Sequence, residues 1–143
     1  MKFQTILVIC AGNICRSPMA EALLKVALPN KTILSAGIVG LSGHPADPMA
    51  VECMAEMGID ISKHIGRLLD RNLMLSADIV LTMSSEQVRV VEQQWPFSKG
   101  KVFRLCYWSA KDIADPYRYP KDAFMAARNL IIQGVSEWEP KLC

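Results

Sequence analysis

Histidines and paired cysteines are scarce in this 143-residue sequence. It contains only two histidines, His44 and His64, and its five cysteines include no C-x-x-C pair. An odd number of cysteines, in a chain long enough to bury a core without covalent cross-links, argues against a disulfide framework and a structural zinc site. We therefore expect reduced thiols and no metal or other cofactor.

Long apolar runs and an excess of one charge are also missing. The longest uninterrupted apolar run covers residues 6–11, far short of the roughly 20 residues of a membrane-spanning helix, and the first residues do not show the charged segment and long apolar segment that predict a signal peptide. Sixteen Lys and Arg against fourteen Asp and Glu leave a net charge of +2, too even for a broad nucleic-acid or anionic-membrane surface. These absences predict a cytoplasmic protein with no nucleic-acid partner and no membrane insertion, while a local anion site is still allowed.

The sequence has enough apolar residues to form a folded domain. Hydrophobic residues make up 51% of it, and we expect one domain over residues 1–143. Short apolar runs rich in β-branched residues predict four strands, at 5–10, 32–36, 77–83 and 101–106. Helical patterns separate these runs. The alternation predicts an α/β fold with a parallel sheet and helices on both faces, where ligands bind beyond the carboxyl ends of the strands.

Local signals mark where the helices begin. Ser17 is a candidate N-cap with Pro18 at the first helical position, and Asp47 precedes a proline in the same way. Ser84, with Gln87 three residues later, predicts a capping box. A further helix is expected over 70–76, and an apolar stripe marks a closing helix at Phe124, Ala127, Ile131, Val135 and Trp138. Glycines space out a loop after the second strand, at Gly37, Gly40 and Gly43.

The loop after the first strand carries the clearest chemistry. Cys10 ends the buried strand, and Arg16 lies six residues later at the start of a helix. Gly12 and Asn13 permit the positive φ angles of a tight cradle. The N–H groups of such a loop, with about half a positive elementary charge from the helix N-terminus, form an anion site that Arg16 closes with its planar fork. This field favours a Cys10 thiolate placed to attack a bound phosphoryl group.

A leaving oxygen needs a proton, and two Asp-Pro steps are candidates to supply it. Asp47 is explained well as a helix N-cap before proline. Asp115 precedes no immediate helical stripe, and the following proline holds it in an extended conformation suited to projecting its carboxyl group. Asp115 is therefore the better candidate for a general acid, although the residues alone allow it to be a turn residue.

Several segments together resemble the low-molecular-weight protein tyrosine phosphatases. They are CAGNICRSP after an apolar strand, SAG at 35–37, GIDISKH-x-x-R at 58–67, ADIVLTM at 77–83 and DPY at 115–117, in that order over essentially the whole chain. The resemblance implies a single three-layer α/β domain with a four-stranded parallel sheet. It also implies metal-independent hydrolysis of phosphotyrosine through a phosphocysteine intermediate.

Carried over by position, the resemblance assigns three catalytic roles. Cys10 matches the nucleophile, Arg16 the phosphate clamp, and Asp115 the acid that protonates the tyrosyl oxygen and then activates the hydrolytic water. The other loop residues match the substrate-binding cradle: Ala11, Gly12, Asn13, Ile14, Cys15 and Ser17. The Ser17 hydroxyl also matches a group that stabilises the thiolate.

The resemblance also supplies supporting and regulatory roles. Ser35 and His64 match, with Asn13, a polar network that holds the loop in shape. Cys15 matches a second loop cysteine that forms a reversible disulfide with the nucleophile and protects it from over-oxidation. Arg67 matches a recurrent structural arginine of the family.

At the rim of the pocket the sequence is typical of bacterial family members. Tyr117 matches one aromatic wall, but Arg118 follows where a second tyrosine often stands. The segment 39–43 is apolar, with Leu41 near a position where tryptophan occurs in other members. This pattern resembles the bacterial enzymes that act with tyrosine autokinases of capsule or exopolysaccharide export, and it makes such a kinase the expected phosphoprotein partner.

Three other functions are weighed against this one. Arsenate reductases on this scaffold need two more cysteines about eight positions apart near the third strand, where Thr82 and Arg89 stand instead. A nucleotide-binding module is disfavoured because neither G-x-x-x-x-G-K-[ST] nor G-x-G-x-x-G occurs. A non-catalytic phosphate-binding module is expected to lose Cys10, Arg16 or Asp115, and all three are present.

Overall fold

The central sheet has four parallel strands, as the sequence predicts. The computed structural model describes residues 3–39 and 41–143, so the predicted loop glycine Gly40 lies outside the described residues. The strands are β1 (Thr5–Cys10), β2 (Thr32–Gly37), β3 (Ile79–Thr82) and β4 (Val102–Arg104), in the spatial order β2-β1-β3-β4. Because β1 and β3 are central, the loop after β1 leaves the sheet where neighbouring strands end, and Cys10 lies in register with Gly37.

Five helices accompany the strands in the described parts of the chain. They are α1 (Arg16–Ala27), α2 (Pro48–Ala55), α3 (Arg71–Ser76), α4 (Ser85–Gln94) and α5 (Lys121–Leu142), with a 3-10 turn at Pro96–Ser98. None of these helices is long and apolar enough to cross a membrane.

Alternate residues of β1 enter two separate cores. Ile6 and Val8 pack in one core with residues of α1, α2 and α5, whereas Leu7 and Ile9 pack in another with residues of α3 and α4. Successive side chains of a strand point to opposite faces, so an apolar run without polar alternation must be covered on both sides. The expected three layers, with helices on both faces of the sheet, are confirmed.

Two of the predicted helix caps, Asp47 and Ser84, are present, and Asp70 caps the helix expected over 70–76. Asp47 accepts a hydrogen bond from Met49 N, Asp70 accepts one from Leu73 N, and Ser84 accepts one from Gln87 N. The return bond of the capping box is displaced by one residue, because the Gln87 side-chain oxygen accepts from Met83 N at 2.8 Å. Side chains close in sequence satisfy these helix ends, which is why the pattern predicts them.

The prediction that Ser17 caps α1 is wrong. The helix begins at Arg16 with Cys15 as its N-cap, and no side chain caps the first N–H groups. Ser17 lies inside the helix, fully buried, and its hydroxyl contacts Cys10 Sγ and Asn13 Nδ2. The uncapped helix start is left open to the space above the loop, where an anion satisfies such donors.

Candidate active site

Cys10 lines a cavity at the carboxyl edge of the sheet. It is the last residue of β1 and is 3% exposed. Its Sγ lies 3.2 Å from the Asn13 backbone N–H and 3.0 Å from Ser17 Oγ. Donors directed at a sulfur atom stabilise its thiolate form, so the surroundings of Cys10 suit a nucleophile.

The loop above Cys10 is held in a tight shape by its neighbours. Asn13 has a φ of 59°, in the left-handed region that few non-glycine residues adopt. A side chain at Gly37, at the end of β2, would place its Cβ 2.8 Å from the backbone carbon of Gly12 and 3.0 Å from the Asn13 nitrogen. Only glycine at position 37 therefore allows β2 to approach the loop this closely.

Arg16 reaches across the site to the segment that carries Asp115. It is 5% exposed, its Nη1 donates to the Ile113 carbonyl oxygen at 2.6 Å, and its Nη2 lies 3.7 Å from Asp115 Oδ2. Its Nε is buried and has no hydrogen-bond partner among the described residues. A buried guanidinium N–H without a partner is uncommon, and an oxyanion above Cys10 is the kind of acceptor that would satisfy it.

Asp115 stands at the mouth of the cavity. Its side chain is 46% exposed, and its Oδ1 accepts a hydrogen bond from Tyr117 N at 3.1 Å. The cavity has a volume of about 200 Å³. Its lining includes all three predicted catalytic residues together with Ala11, Gly12, Ile14, Cys15, Val39, Leu41 and Tyr117. The structure thus brings Cys10, Arg16 and Asp115 to one site, with apolar side chains around the entrance.

Two residues predicted to bind substrate, Asn13 and Ser17, lie behind the loop and do not line this cavity. Both are fully buried. The Asn13 amide nitrogen lies 2.7 Å from Ser17 Oγ and 3.0 Å from Ser35 Oγ, and its amide oxygen accepts from Arg67 N at 3.0 Å. His64 Nε2 lies 2.8 Å from the Asn13 carbonyl oxygen. The predicted support residues Ser35 and His64 are therefore placed around Asn13, on the side of the loop away from the cavity.

The other buried cysteines are in different environments from Cys10. Burial raises the pKa of the Cys15 thiol well above its ordinary value, with the negative charge of Asp47 as the next contribution. Burial also raises the pKa of Cys53 and of Cys106. These three thiols are held in their protonated form, which is the less reactive form of cysteine.

Sequence reasoning missed the roles of Glu21 and Ile113. Glu21 accepts a short hydrogen bond from Ser35 Oγ, and Ile113 supplies the carbonyl that anchors Arg16. A backbone carbonyl carries no sequence signal. For Glu21 the sequence shows only a lysine four residues later, Lys25, which is typical of an ordinary helix surface pair.

The residues around the cavity do not form a metal site. Within residues 3–39 and 41–143, no three His, Cys, Asp or Glu side chains are grouped as the ligands of one metal ion would be.

The site consists of a cysteine under an anion-binding loop, an arginine beside it and a carboxylate at the entrance, on a parallel α/β sheet. This arrangement defines a class of phosphate-binding α/β proteins with a nucleophilic cysteine. Residues 5–142 match the family "Low molecular weight phosphotyrosine protein phosphatase". The chain belongs to this family, whose members are cysteine-dependent phosphatases.

Individual relatives agree with this assignment over nearly the full length. The low molecular weight protein-tyrosine-phosphatase Ptp of Acinetobacter johnsonii is 51% identical over 139 residues, which cover 96% of this chain and 97% of the relative. The solved structure of Vibrio vulnificus Wzb in complex with benzylphosphonate matches with a TM-score of 0.94 and 41% identity, over 98% of this chain and 99% of that one. The YwlE arginine phosphatase from Geobacillus stearothermophilus matches with a TM-score of 0.91 and 34% identity, over 97% and 92%.

Proposed function

We propose that the protein hydrolyses phosphotyrosine in proteins, with Cys10 as nucleophile, Arg16 as phosphate clamp and Asp115 as acid and base. The observation that carries this proposal is the shared cavity, which Cys10, Arg16 and Asp115 all line. A phosphoryl group above Cys10 would meet the sulfur, the uncapped helix N-terminus and the guanidinium group together.

In the first step the Cys10 thiolate attacks phosphorus and the bond from phosphorus to the tyrosyl oxygen breaks. Asp115, in its protonated form, gives its proton to the departing oxygen, so tyrosine leaves neutral and a phosphocysteine remains. The negative charge on the equatorial phosphoryl oxygens is shared by the loop N–H groups and by Arg16. The exposure of Asp115 at the cavity mouth fits a residue that must meet the leaving group.

In the second step water replaces the sulfur. The Asp115 carboxylate takes a proton from a water molecule, the water oxygen attacks phosphorus, and the bond between sulfur and phosphorus breaks. Inorganic phosphate leaves, and Cys10 returns as a thiolate held by Ser17 and the Asn13 N–H. The second step restores the proton on Asp115, so the cycle closes.

The shape and polarity of the entrance favour an aromatic leaving group. Ile14, Val39, Leu41 and Tyr117 present apolar or aromatic surface around the cavity. A phenyl ring gains from leaving water for such surface, whereas a charged guanidinium group loses hydration there. The relative from Vibrio vulnificus was solved with benzylphosphonate, whose aryl and phosphonate groups match these two halves of the cavity.

The relative named arginine phosphatase makes phosphoarginine the alternative substrate. Its phosphoryl group would occupy the same loop, with Asp115 at the leaving nitrogen. Comparing kcat/KM for phosphotyrosine and phosphoarginine peptides of one sequence decides between them. Faster turnover of the phosphoarginine peptide would reject the tyrosine assignment while leaving the cysteine mechanism intact.

The mechanism is tested with nitrophenyl phosphate and phosphotyrosine in EDTA, using wild type, Cys10→Ser and Asp115→Ala. Cys10→Ser should lose nearly all activity on both substrates, and full activity in this variant would reject the mechanism. Asp115→Ala should lose more with phosphotyrosine than with nitrophenyl phosphate, because nitrophenolate departs readily without a proton. Equal losses would remove Asp115 from the acid role.

We propose further that the natural substrate is an autophosphorylated bacterial tyrosine kinase of polysaccharide export. The apolar rim around Leu41 and the likeness to the enzyme called Wzb support this partner. The test compares kcat/KM for an intact phosphorylated kinase of this class with kcat/KM for a phosphopeptide that copies the kinase's own phosphorylated segment. A preference for the intact kinase is expected, and equal values would argue against a dedicated partner.

A further inference from the structure

A second cavity lies on the other side of residues 11–15, the catalytic loop that joins β1 to α1. It has a volume of about 570 Å³ and opens beside α1. Glu21, Lys25, Ser35, His64 and Arg67 are among its lining residues. Glu21 contacts three of the others, and its side chain is 18% exposed. Neither the reaction described above nor the sequence motifs give this carboxylate a role.

The hydrogen-bond directions around Asn13 are fixed by one backbone group. Arg67 N–H can only donate, so the Asn13 atom it meets is the amide oxygen. The other amide atom is then the nitrogen, and its two hydrogens go to Ser17 Oγ and Ser35 Oγ. Both serine oxygens accept from Asn13, so each serine has one hydroxyl hydrogen left to donate.

Those two remaining hydrogens point in opposite directions. With Cys10 as a thiolate, which can only accept, the hydrogen of Ser17 goes to Cys10 Sγ at 3.0 Å. The hydrogen of Ser35 goes to a carboxylate oxygen of Glu21. A continuous chain therefore runs from Glu21 through Ser35, Asn13 and Ser17 to the sulfur of Cys10. Glu21 is the acceptor at its outer end.

Glu21 also faces the second group that holds Asn13. His64 Nε2 must donate its hydrogen, because the Asn13 carbonyl oxygen can only accept. His64 Nδ1 lies 3.9 Å from Glu21 Oε1, too far for a direct hydrogen bond. Lys25, one turn further along α1, holds the other carboxylate oxygen of Glu21 at 2.8 Å.

We propose that Glu21 is a positioning residue for the Cys10 nucleophile, acting through Ser35 on Asn13. The inference rests on the proposed role of Cys10. Asn13 has a left-handed φ of 59°, which asparagine tolerates better than most residues, and its side-chain hydrogen bonds hold it there. Glu21 accepts the hydroxyl hydrogen of Ser35 and so orients the oxygen that receives the Asn13 amide hydrogen.

The first test replaces Glu21 by Ala, which removes the acceptor, and by Gln, which keeps the shape but removes the charge. Glu52→Ala is the matched control. It removes an exposed carboxylate of α2 that pairs with Lys121 of α5. For Glu21→Ala, kcat should fall roughly tenfold, about the effect of one lost charge-assisted hydrogen bond transmitted to the loop. Glu21→Gln should show a smaller loss because a neutral oxygen accepts more weakly.

The decisive readout does not use the phosphatase reaction. Alkylation of Cys10 by iodoacetamide, followed by mass spectrometry across pH, reports how well the loop stabilises the thiolate. The midpoint of this profile should move up by roughly 0.5 to 1 pH unit in Glu21→Ala and less in Glu21→Gln. Unchanged profiles in both variants would overturn the proposal. If Glu21→Ala does not fold, an unchanged profile in Glu21→Gln overturns it alone.

The cavity permits a rescue experiment that a purely structural residue would not pass. Removal of the Glu21 carboxyl group leaves room beside Ser35 for a small carboxylate from solution. Added formate should restore much of the kcat and of the alkylation profile in Glu21→Ala, while having no such effect on wild type or Glu52→Ala. Loss of activity without formate rescue and without a shifted profile would show that Glu21 serves only the fold. If the wild type has no phosphatase activity but the alkylation profiles shift as expected, the proposed function is rejected and this inference stands.

Discussion

Replacement of Arg16 by Lys isolates what the guanidinium group contributes beyond its charge. Nη1 is occupied by the Ile113 carbonyl at 2.6 Å, and Nη2 already lies near Asp115. The buried Nε has no partner among the described residues. Nε and Nη2 thus form the edge that is free to hold two phosphoryl oxygens side by side.

The size of the effect follows from counting these bonds. Two hydrogen bonds to a charged group contribute about 1.5 to 3 kcal/mol each, and a lysine ammonium keeps the charge and at most one of them. Lysine donates from a single nitrogen, which cannot hold the Ile113 carbonyl as a separate anchor, so it is less firmly placed. A net loss of about 2 to 4 kcal/mol in the transition state corresponds to roughly 30-fold to 1000-fold in kcat/KM.

The assay measures kcat and KM with nitrophenyl phosphate, the inhibition constant of inorganic phosphate, and thermal unfolding. Arg16→Lys should lower kcat more than it raises KM, because the clamp acts most strongly on the charge of the transition state. Arg89→Lys, on the exposed surface of α4, is the control and should be unchanged. Activity within fivefold of wild type, in a folded Arg16→Lys protein, would refute the assignment of the bidentate clamp.

Three further predictions concern the loop, the thiols and the sheet. Gly37→Ala should lower kcat/KM by about 100-fold or more, because its Cβ would displace the backbone of the loop after β1. Gly100→Ala, at a φ of 97° before β4, should lose stability and keep its activity. Equal kcat/KM values for the two variants would contradict the close contact at Gly37. In a Cys143→Ser background, iodoacetamide at pH 8 should label Cys10 and spare Cys53 and Cys106, whose raised pKa values keep them protonated. Mass spectrometry measures the label at each cysteine, and equal labelling of all three would contradict the prediction. Hydrogen bonds from the Thr5 and Gln4 N–H groups lower the pKa of Asp78, so its carboxylate stabilises the fold above the ordinary carboxyl pKa of about 3.9, and this stabilisation is lost as pH falls through the folded pKa. The Tm difference between wild type and Asp78→Asn should therefore shrink below about pH 4. A Tm difference that does not change with pH would count against this prediction.

The parts of the fold that short-range chemistry determines were the ones the sequence could predict. An apolar run without alternation requires cover on both faces, which places residues 5–10 at the centre of the sheet. Asp47, Asp70 and Ser84 cap helices through atoms two or three residues away. The last two strands are shorter than predicted, and Cys106 lies instead in a turn whose carbonyl accepts from Lys111 N.

The site was predictable where its residues share one loop and less so where they meet across the fold. Cys10 and Arg16 flank the same short segment, so their spacing carries information. Ser17 has the sequence of a cap, but its hydroxyl is used between Cys10 and Asn13 instead. Glu21 takes its function from partners that are distant in sequence, and no local pattern shows which of them it will meet.

The hydrogen bond between Arg16 and the Ile113 carbonyl oxygen joins an early part of the chain to a late one, which matters for folding during synthesis. Cys10 is synthesised early, yet the groups that shape its surroundings come from β2, from the segment around Arg67 and from Ile113. Long-range contacts of this kind form only when most of the chain has been made and folded. The surroundings that we propose to activate Cys10 are therefore complete only in the folded protein, and in a nascent chain this thiol lacks them.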